Sequence, residues 1–539
     1  MDLFRLQRTV RHLKPAQVYG RFAYRGRRPN LGPAPKPRSF AKTWTPPIQR
    51  EPSLIGPTEV RLLNEDGRFD QALCWNDPSR AKLWLYNLHY FDNLAAAACA
   101  TRGLWRRAMV ARWIAENPPG GGVGWEPYPT SLRIVNWIKW ALAGAEMEPA
   151  WRQSLAVQTR WLSDRIEWRL LGNHLLANAK ALIFAGLYFD GAEAGLWLAK
   201  GLELHRRQLA EQILADGGHF ERSPMYHAIV LEDLLDLINI ARASGALDVD
   251  LIARWTGLAE RLRAWLAVMV HPDGQISFFN DAAFGVAGAP KALDAYAERL
   301  GLGAPISPAT GATWLAASGY ARLAKDDAVV LIDAAPVGPD YLPGHAHADT
   351  LSFEFSLGGE RVVVNGGTSI YGEGLQRQLE RSTAAHSTVQ IDGRDSSEVW
   401  AGFRVGRRAR VRNVEVGETA DGLAVRADHD GYQWLPGRPI HRRSWGLRAG
   451  RLTVIDAIEG RGANAVARFH LRPGVMGRVD GDGRGGELIV PSGRRIGWRS
   501  SQAARLEPSQ WRPEFGLRLE ASQLVAPVGA APLQVEFSW

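Results

Sequence analysis

Cysteine is almost missing from this chain of 539 residues, occurring only as Cys74 and Cys99. That excludes a disulfide scaffold and a cysteine-cluster metal site. Both thiols fall in apolar-rich sequence and are expected to be buried and free. No run of about 18 apolar residues occurs, which excludes a hydrophobic membrane-spanning helix. The opening MDLFRLQRTVRHLKPAQVYGRF lacks the apolar centre and small-residue cleavage site of a standard signal peptide. No glycine loop is followed by Lys-Ser/Thr; GDGRGG near 481 lies in strand-like sequence with no helix after it, so a phosphate cradle is not expected. Lysine is scarce: of 65 basic residues nine are Lys and 56 are Arg, and the net charge is +9. Arg grips carboxylates, sulfates and phosphates in a fork, so a polyanionic partner is one reading of this excess; a GC-rich genome is the other. The basic residues are dispersed without a nucleic-acid motif, and no nucleic-acid partner is expected.

What is present reads as a folded protein of more than one domain. Apolar residues make up 46% and charged residues 22%, the proportions of a globular chain. The 21 Trp suit either sugar stacking or core filling. Leu3, Leu6, Val10 and Leu13 recur at helical spacing among Arg5, Arg8, Arg11 and Lys14, predicting a short basic amphipathic helix. Such a helix docks on its own domain or lies on an anionic membrane face. Residues 1–60 thus divide into this helix and a Pro-rich connector. Apolar residues at i, i+3, i+4 and i+7 recur in runs such as RIVNWIKWALAGA and AIVLEDLLDLINIARAS, predicting antiparallel helix pairs over 61–312. Residues 313–539 change texture. Runs such as LSFEFSL, RVVVNGG and RLTVIDAIEG, separated by Gly, Asp or Asn, predict an antiparallel β-sandwich.

Polar and aromatic residues that a core does not need cluster in four places. WEPYPTSLRIVNWIKW offers Trp125, Tyr128 and Arg133. LLGNHLLANAKAL places Asn173 and His174 at a helix start, where Asn alone would read as an N-cap. DGGHFERSPMYHAIVLEDLL offers His219, Glu221, Arg222, Tyr226 and His227 in a loop opening a helix. YLPGHAHADTLSFEF opens a strand with His345, His347 and Asp349, whose spacing suits metal ligation or acid–base work. Arg381 and His386 follow in RSTAAHST.

The order of NLHYFDNL and WEPYPTSLR, then NH, then SPMYH, then GHAHADTLSFE, then RSTAAHST, resembles the heparinase II/III family of polysaccharide lyases. The resemblance covers most of the chain through about residue 400. It implies an N-terminal incomplete (α/α) toroid followed by a C-terminal antiparallel β-sandwich. It also implies β-elimination on uronate-containing polysaccharides, with Asn173 and His174 at the substrate carboxylate and Tyr226 and His345 as the catalytic pair. Glu221, Arg222, His227, Trp125, Tyr128, Arg133 and Arg381 are the accompanying candidates for substrate contact. A zinc site of His347, a strand-end acid and His386 is implied too. Here the strand-end residue is Asn365, in VVVNGG, where relatives commonly carry Asp. A neutral amide is a weaker zinc ligand than a carboxylate, so any zinc is expected to be structural and weakly held. No organic cofactor is expected.

The chemistry needs donors at the uronate carboxylate, so that charge developing on C5–H removal is stabilised, and a base for that proton. Tyr226 or His345 suits the base, depending on C5 stereochemistry, and Arg222 is expected to help at the carboxylate. A neighbouring positive charge is expected to lower the tyrosine's pKa. The alternatives are a uronate C5-epimerase, sharing the first proton transfer, and a non-catalytic glycan-binding protein of an exopolysaccharide assembly system. The missing signal predicts a cytoplasmic protein, with residues 1–25 available for peripheral contact at the inner membrane; a periplasmic location is the alternative.

Overall fold

The computed structural model describes residues 3–20, 28–97, 100–460 and 464–539. Cys99 lies outside them, as do residues 1, 2 and 21–25 of the N-terminal segment. Cys74 is half-buried rather than buried, in a short 3₁₀ turn (Ala72–Asn76) beside Asp70.

Two short helices open the chain, α1 (Leu3–Val10) and α2 (Pro15–Tyr19). After a hairpin (Glu59–Leu62 with Glu65–Arg68), nine α-helices follow among the described residues: α3 (Lys82–Tyr90), α4 (Ala100–Glu116), α5 (Pro127–Leu142), α6 (Pro149–Ser163), α7 (Gly172–Tyr188), α8 (Ala192–Gln212), α9 (Pro224–Ser244), α10 (Val249–Val268) and α11 (Pro290–Arg299). Four of them, α5, α6, α9 and α11, begin on proline, whose fixed φ and missing N–H suit a first turn. α7 runs through the middle, and every residue of it except His174 is buried. A helix apolar on all sides has to be enclosed, and α5, α8 and α9 enclose it. Trp75, Trp84, Trp113, Trp137, Trp151 and Trp265 are sealed inside this half. They fill the core rather than offer sugar platforms, and truncating one would cost about 3–5 kcal/mol.

The C-terminal half is two antiparallel sheets. A nine-stranded sheet is built on the meander Gly311–Leu315, Tyr320–Lys325, Ala328–Asp333, Phe353–Leu357 and Glu360–Val364, continued through Ala465–Leu471, Leu519–Val528 and Arg505–Trp511. The second has eight strands, centred on Ile440–Arg448, Arg451–Glu459 and Leu533–Ser538. In Ile440–Arg448 burial alternates strictly, as a sheet wet on one face requires. Ala328–Asp333 and Phe353–Leu357 are buried at every position. The second sheet covers one face and α10, through Trp265 and Met269, packs on the other. The fold is therefore the toroid followed by the sandwich. Two devices of this packing present the chemistry: the 334–352 loop between adjacent strands, and a short helix α12 (Leu375–Arg381).

Candidate active site

A cavity of about 1100 Å³ lies between the helical and β halves, and Tyr128, Asn173, His174, Glu221, Tyr226 and His345 all line it. Residues far apart in the chain meet there because each is fixed by local structure. Tyr226 sits in the first turn of α9. The Ser223 hydroxyl caps that helix by accepting the Tyr226 backbone N–H at 3.2 Å, and Pro224 starts it. Asn173 is the second residue of α7 and caps nothing. Its amide group donates to both Glu221 oxygens at 3.3 Å, and its backbone N–H to one of them at 3.2 Å. Gly172 just before it has φ +55°, and a Cβ there would fall 2.4 Å from Glu221 Oε1 and from Leu342. Only glycine permits this close approach. His174 Nδ1 meets Glu167 Oε2 at 3.1 Å, and its ring lies 4.4 Å from that of Tyr128.

His345 stacks on Tyr226 with ring centroids 4.0 Å apart. Its Nδ1 lies 2.9 Å from Asp281 Oδ2 and its Nε2 lies 3.7 Å from Glu221 Oε2. A carboxylate at Nδ1 places the proton there and leaves the Nε2 lone pair as the basic position. Asp281 was not singled out from the sequence, yet it is the hub of the site. It also accepts from His347 Nε2 at 2.8 Å and from both terminal nitrogens of Arg377, at 2.7 Å for Nη2. Burial pushes the Asp281 carboxyl up, but Arg377 and the two imidazoles outweigh it and hold the group well below the usual carboxylate range. Tyr371 is another residue the sequence reading missed, as is Arg377. Its hydroxyl lies 3.0 Å from that of Tyr226 and 3.4 Å from His345 Nδ1. Burial, then the neighbouring Tyr371, pushes the Tyr226 phenol well above its ordinary value. The expected lowering is thus overturned: among the described residues no cation acts on the phenol strongly enough to offset burial, and desolvation disfavours its anion.

Several expected contacts belong to the scaffold instead. Arg222, at φ +56°, donates to the carbonyls of Ser318 and Phe220, which ties the helical half to the sheet, and it is not among the residues that line the cavity. His227 donates from Nε2 to the Leu262 carbonyl at 2.9 Å and stacks on Trp265. Trp125 is buried and donates to the Asn117 carbonyl. Arg133 lies over the Trp113 ring at 3.9 Å and donates to Gln158. Arg381 donates twice to the Ala346 carbonyl, at 3.0 and 2.8 Å, and so holds the backbone between the two histidines.

The proposed metal ligands do not compose a zinc set. His347 Nδ1 and His386 Nε2 face each other at 3.0 Å, and His386 Nδ1 bonds the Ser382 carbonyl. The Asn365 amide is spent elsewhere: its nitrogen donates to Ser352 Oγ and its oxygen accepts the Ser387 N–H. Two imidazoles without a third donor fall short of the four-ligand closed site a structural zinc takes. Among the described residues no group of three His, Cys, Asp or Glu is arranged to hold a metal ion.

Two family models match the chain. The family described as heparinase II/III N-terminus matches residues 112–297, and the one described as heparinase II/III-like, C-terminal, matches residues 307–539. Over 275 residues the chain is 25% identical to a heparin-sulfate lyase of Pedobacter heparinus, covering 47% of this chain and 40% of that protein. It is 26% identical over 380 residues to FtsZ-localized protein C of Caulobacter vibrioides, covering 65% and 62%. The chain thus spans less than two thirds of these curated relatives. A crystal structure of heparinase III superposes with a TM-score of 0.68 at 18% identity, covering 86% of this chain and 79% of that one.

Proposed function

Because the chain belongs to the heparinase II/III family, we propose that it is a carbon–oxygen lyase cleaving a uronate-containing polysaccharide by β-elimination. The observation that carries this reading is the stacked pair Tyr226–His345, a protonated phenol and a tautomer-fixed imidazole on the wall shared with Asn173 and His174.

The substrate carboxylate binds at Asn173 and His174, beside the N-terminus of α7, where the helix dipole favours negative charge and the Asn173 amide turns from Glu221 to the substrate. That neutralisation acidifies C5–H. His345 Nε2 takes the C5 proton, and the electrons left behind form the C4=C5 double bond. The C4–O bond breaks, and its oxygen takes the Tyr226 proton. Burial keeps that phenol protonated until it is needed. Tyr371, in hydrogen-bond reach of Tyr226, offers the return path for a proton. The product carries a 4,5-unsaturated uronate at its new non-reducing end.

The charges lining the cavity bear on the substrate. Lys139 and Lys180 share Asp236 at 2.8 and 2.7 Å, Lys180 also meets Asp233, and Arg50 meets Glu232 at 2.7 Å. Cations already paired offer little to a dense array of sulfates. The experiment is near-ultraviolet absorbance on a panel of sulfated and unsulfated uronate polymers, with Tyr226→Phe as control. A rise that the variant loses supports the reading. C5 proton–deuterium exchange without absorbance would replace it with epimerisation, and binding without either would leave a glycan-binding protein.

A further inference from the structure

We propose that the segment Leu3–Gly20 is an end wall of the substrate cleft, so that the enzyme engages its polysaccharide by a chain end and releases short products. The inference rests on the lyase reading above.

The segment is fastened to both halves of the protein. On the β side, Arg5 Nε donates to Glu398 Oε1 at 3.1 Å, and Arg8 donates to both Glu398 oxygens at 3.0 and 2.9 Å. Trp400 Nε1 donates to Thr9 Oγ1 at 3.2 Å. On the helical side, Lys14 pairs with Glu211 at the end of α8, and its ammonium lies 3.8 Å over the ring of Tyr341 in the 334–352 loop of the β half. Gln17 turns α2 by accepting the Lys14 N–H at 2.9 Å and donates to the Tyr341 carbonyl at 3.1 Å. Gly20 then rests on the toroid backbone at Trp168 and Arg169, where a Cβ would fall 2.9 Å from the Arg169 nitrogen.

Between these clips Leu6, Val10, Leu13 and Gln17 line the same cavity as Tyr226 and His345. The cationic face of α1 is thereby turned to its own domain, and part of its apolar face to the substrate space. A polysaccharide cut in mid-chain must leave the cleft in both directions. A segment anchored to both walls obstructs one of those exits, and what fits is a chain end. The apolar lining suits the C–H faces of sugar rings.

The test keeps the full chain. Glu398 is left alone because it also receives the Arg407 backbone N–H. The variant is Arg5→Glu/Arg8→Glu, with Arg5→Lys/Arg8→Lys as the charge-keeping control; neither position belongs to the catalytic machinery. Hydrogen exchange reads the strap and product sizing reads its effect. The expected result is that the Glu variant loses amide protection over α1 and α2 and shifts from short unsaturated products at onset to long ones, with polymer viscosity falling early. The Lys control keeps the parent pattern. Long products from the parent protein at onset would overturn the inference, as would an unprotected segment with unchanged product sizes. Absence of unsaturated product from either protein on every polymer would overturn the lyase reading and this inference with it, an outcome distinct from activity with the wrong product sizes.

Discussion

Replacing Asp281 by Asn separates what this carboxylate does for stability from what it does for catalysis. Five donors converge on its two oxygens: His345 Nδ1, His347 Nε2, both Arg377 terminal nitrogens and the Thr368 hydroxyl. Asparagine keeps the shape but offers one acceptor oxygen and adds two donors of its own, so at least one imidazole and one Arg377 nitrogen meet an N–H instead of an acceptor. Arg377 is 1% exposed and Asp281 is not exposed at all. A buried cation that loses its partner costs about 3–5 kcal/mol. For the chemistry, His345 no longer has an anion fixing its Nδ1 proton, and an unfixed tautomer costs up to about 10⁴ in kcat. The assay pairs the initial rate of absorbance on a uronate polymer with a urea midpoint. The double variant Asp281→Asn/Arg377→Gln should recover most of the lost stability, because the unpaired charge is gone, while kcat stays low. If Asp281→Asn keeps kcat within about tenfold of the parent while losing stability, the orienting role is refuted. Asp281 would then be scaffold alone.

Tyr226→Phe should abolish elimination, since no proton reaches the C4 oxygen, while the melting temperature and glycan affinity stay near those of the parent. Gly172→Ala should lower kcat by displacing Glu221 and Asn173, because its Cβ would collide with the Glu221 carboxylate; unchanged kinetics would contradict that geometry. Metal analysis of the purified protein should find zinc well below one per chain, and a chelator should leave unfolding unchanged; stoichiometric zinc lost in His386→Ala would contradict the reading of the donor set. Burial holds His89, His205 and His470 near pKa 3 and His227 near 4. Their folded values lie below the unfolded value of 6.5, so their contribution is whole above that pH and drains as pH falls toward 3. Each removes about 1.4 kcal/mol per pH unit in that window, and urea midpoints between pH 7 and 4 should fall accordingly. A flat profile would show that these imidazoles are not buried neutral.

Much of the architecture was legible in the chain. Helical periodicity ending near residue 300 and two-residue alternation from about 314 are local signals, because a helix or strand writes its burial into neighbouring positions. The motif residues Asn173, His174, Glu221, Tyr226 and His345 were legible as well, since polar and aromatic groups stood where a core had no use for them. They do share one cavity. Tyr128 joined them, but Trp125 and Arg133, from the same motif, went into the core. Motif membership does not say which way a side chain points along a helix.

Tertiary structure alone decided the rest. Asp281 stands 64 residues from His345 and 96 from Arg377, and nothing in SFFNDAAFG marks which histidine its carboxylate will meet. The Tyr226 phenol is held protonated by enclosure, a property of all the atoms around it and not of its sequence neighbours. Asn365 is legible as a weak ligand, but only packing turns its amide to Ser352 and Ser387. The basic face of α1 could be read for a membrane or for its own domain; Glu398, nearly four hundred residues downstream, settles that Arg5 and Arg8 are engaged within the chain. Local pattern follows from short-range sterics and burial, which the chain carries residue by residue. Partnership, protonation and orientation depend on contacts that exist only once distant segments have closed on one another.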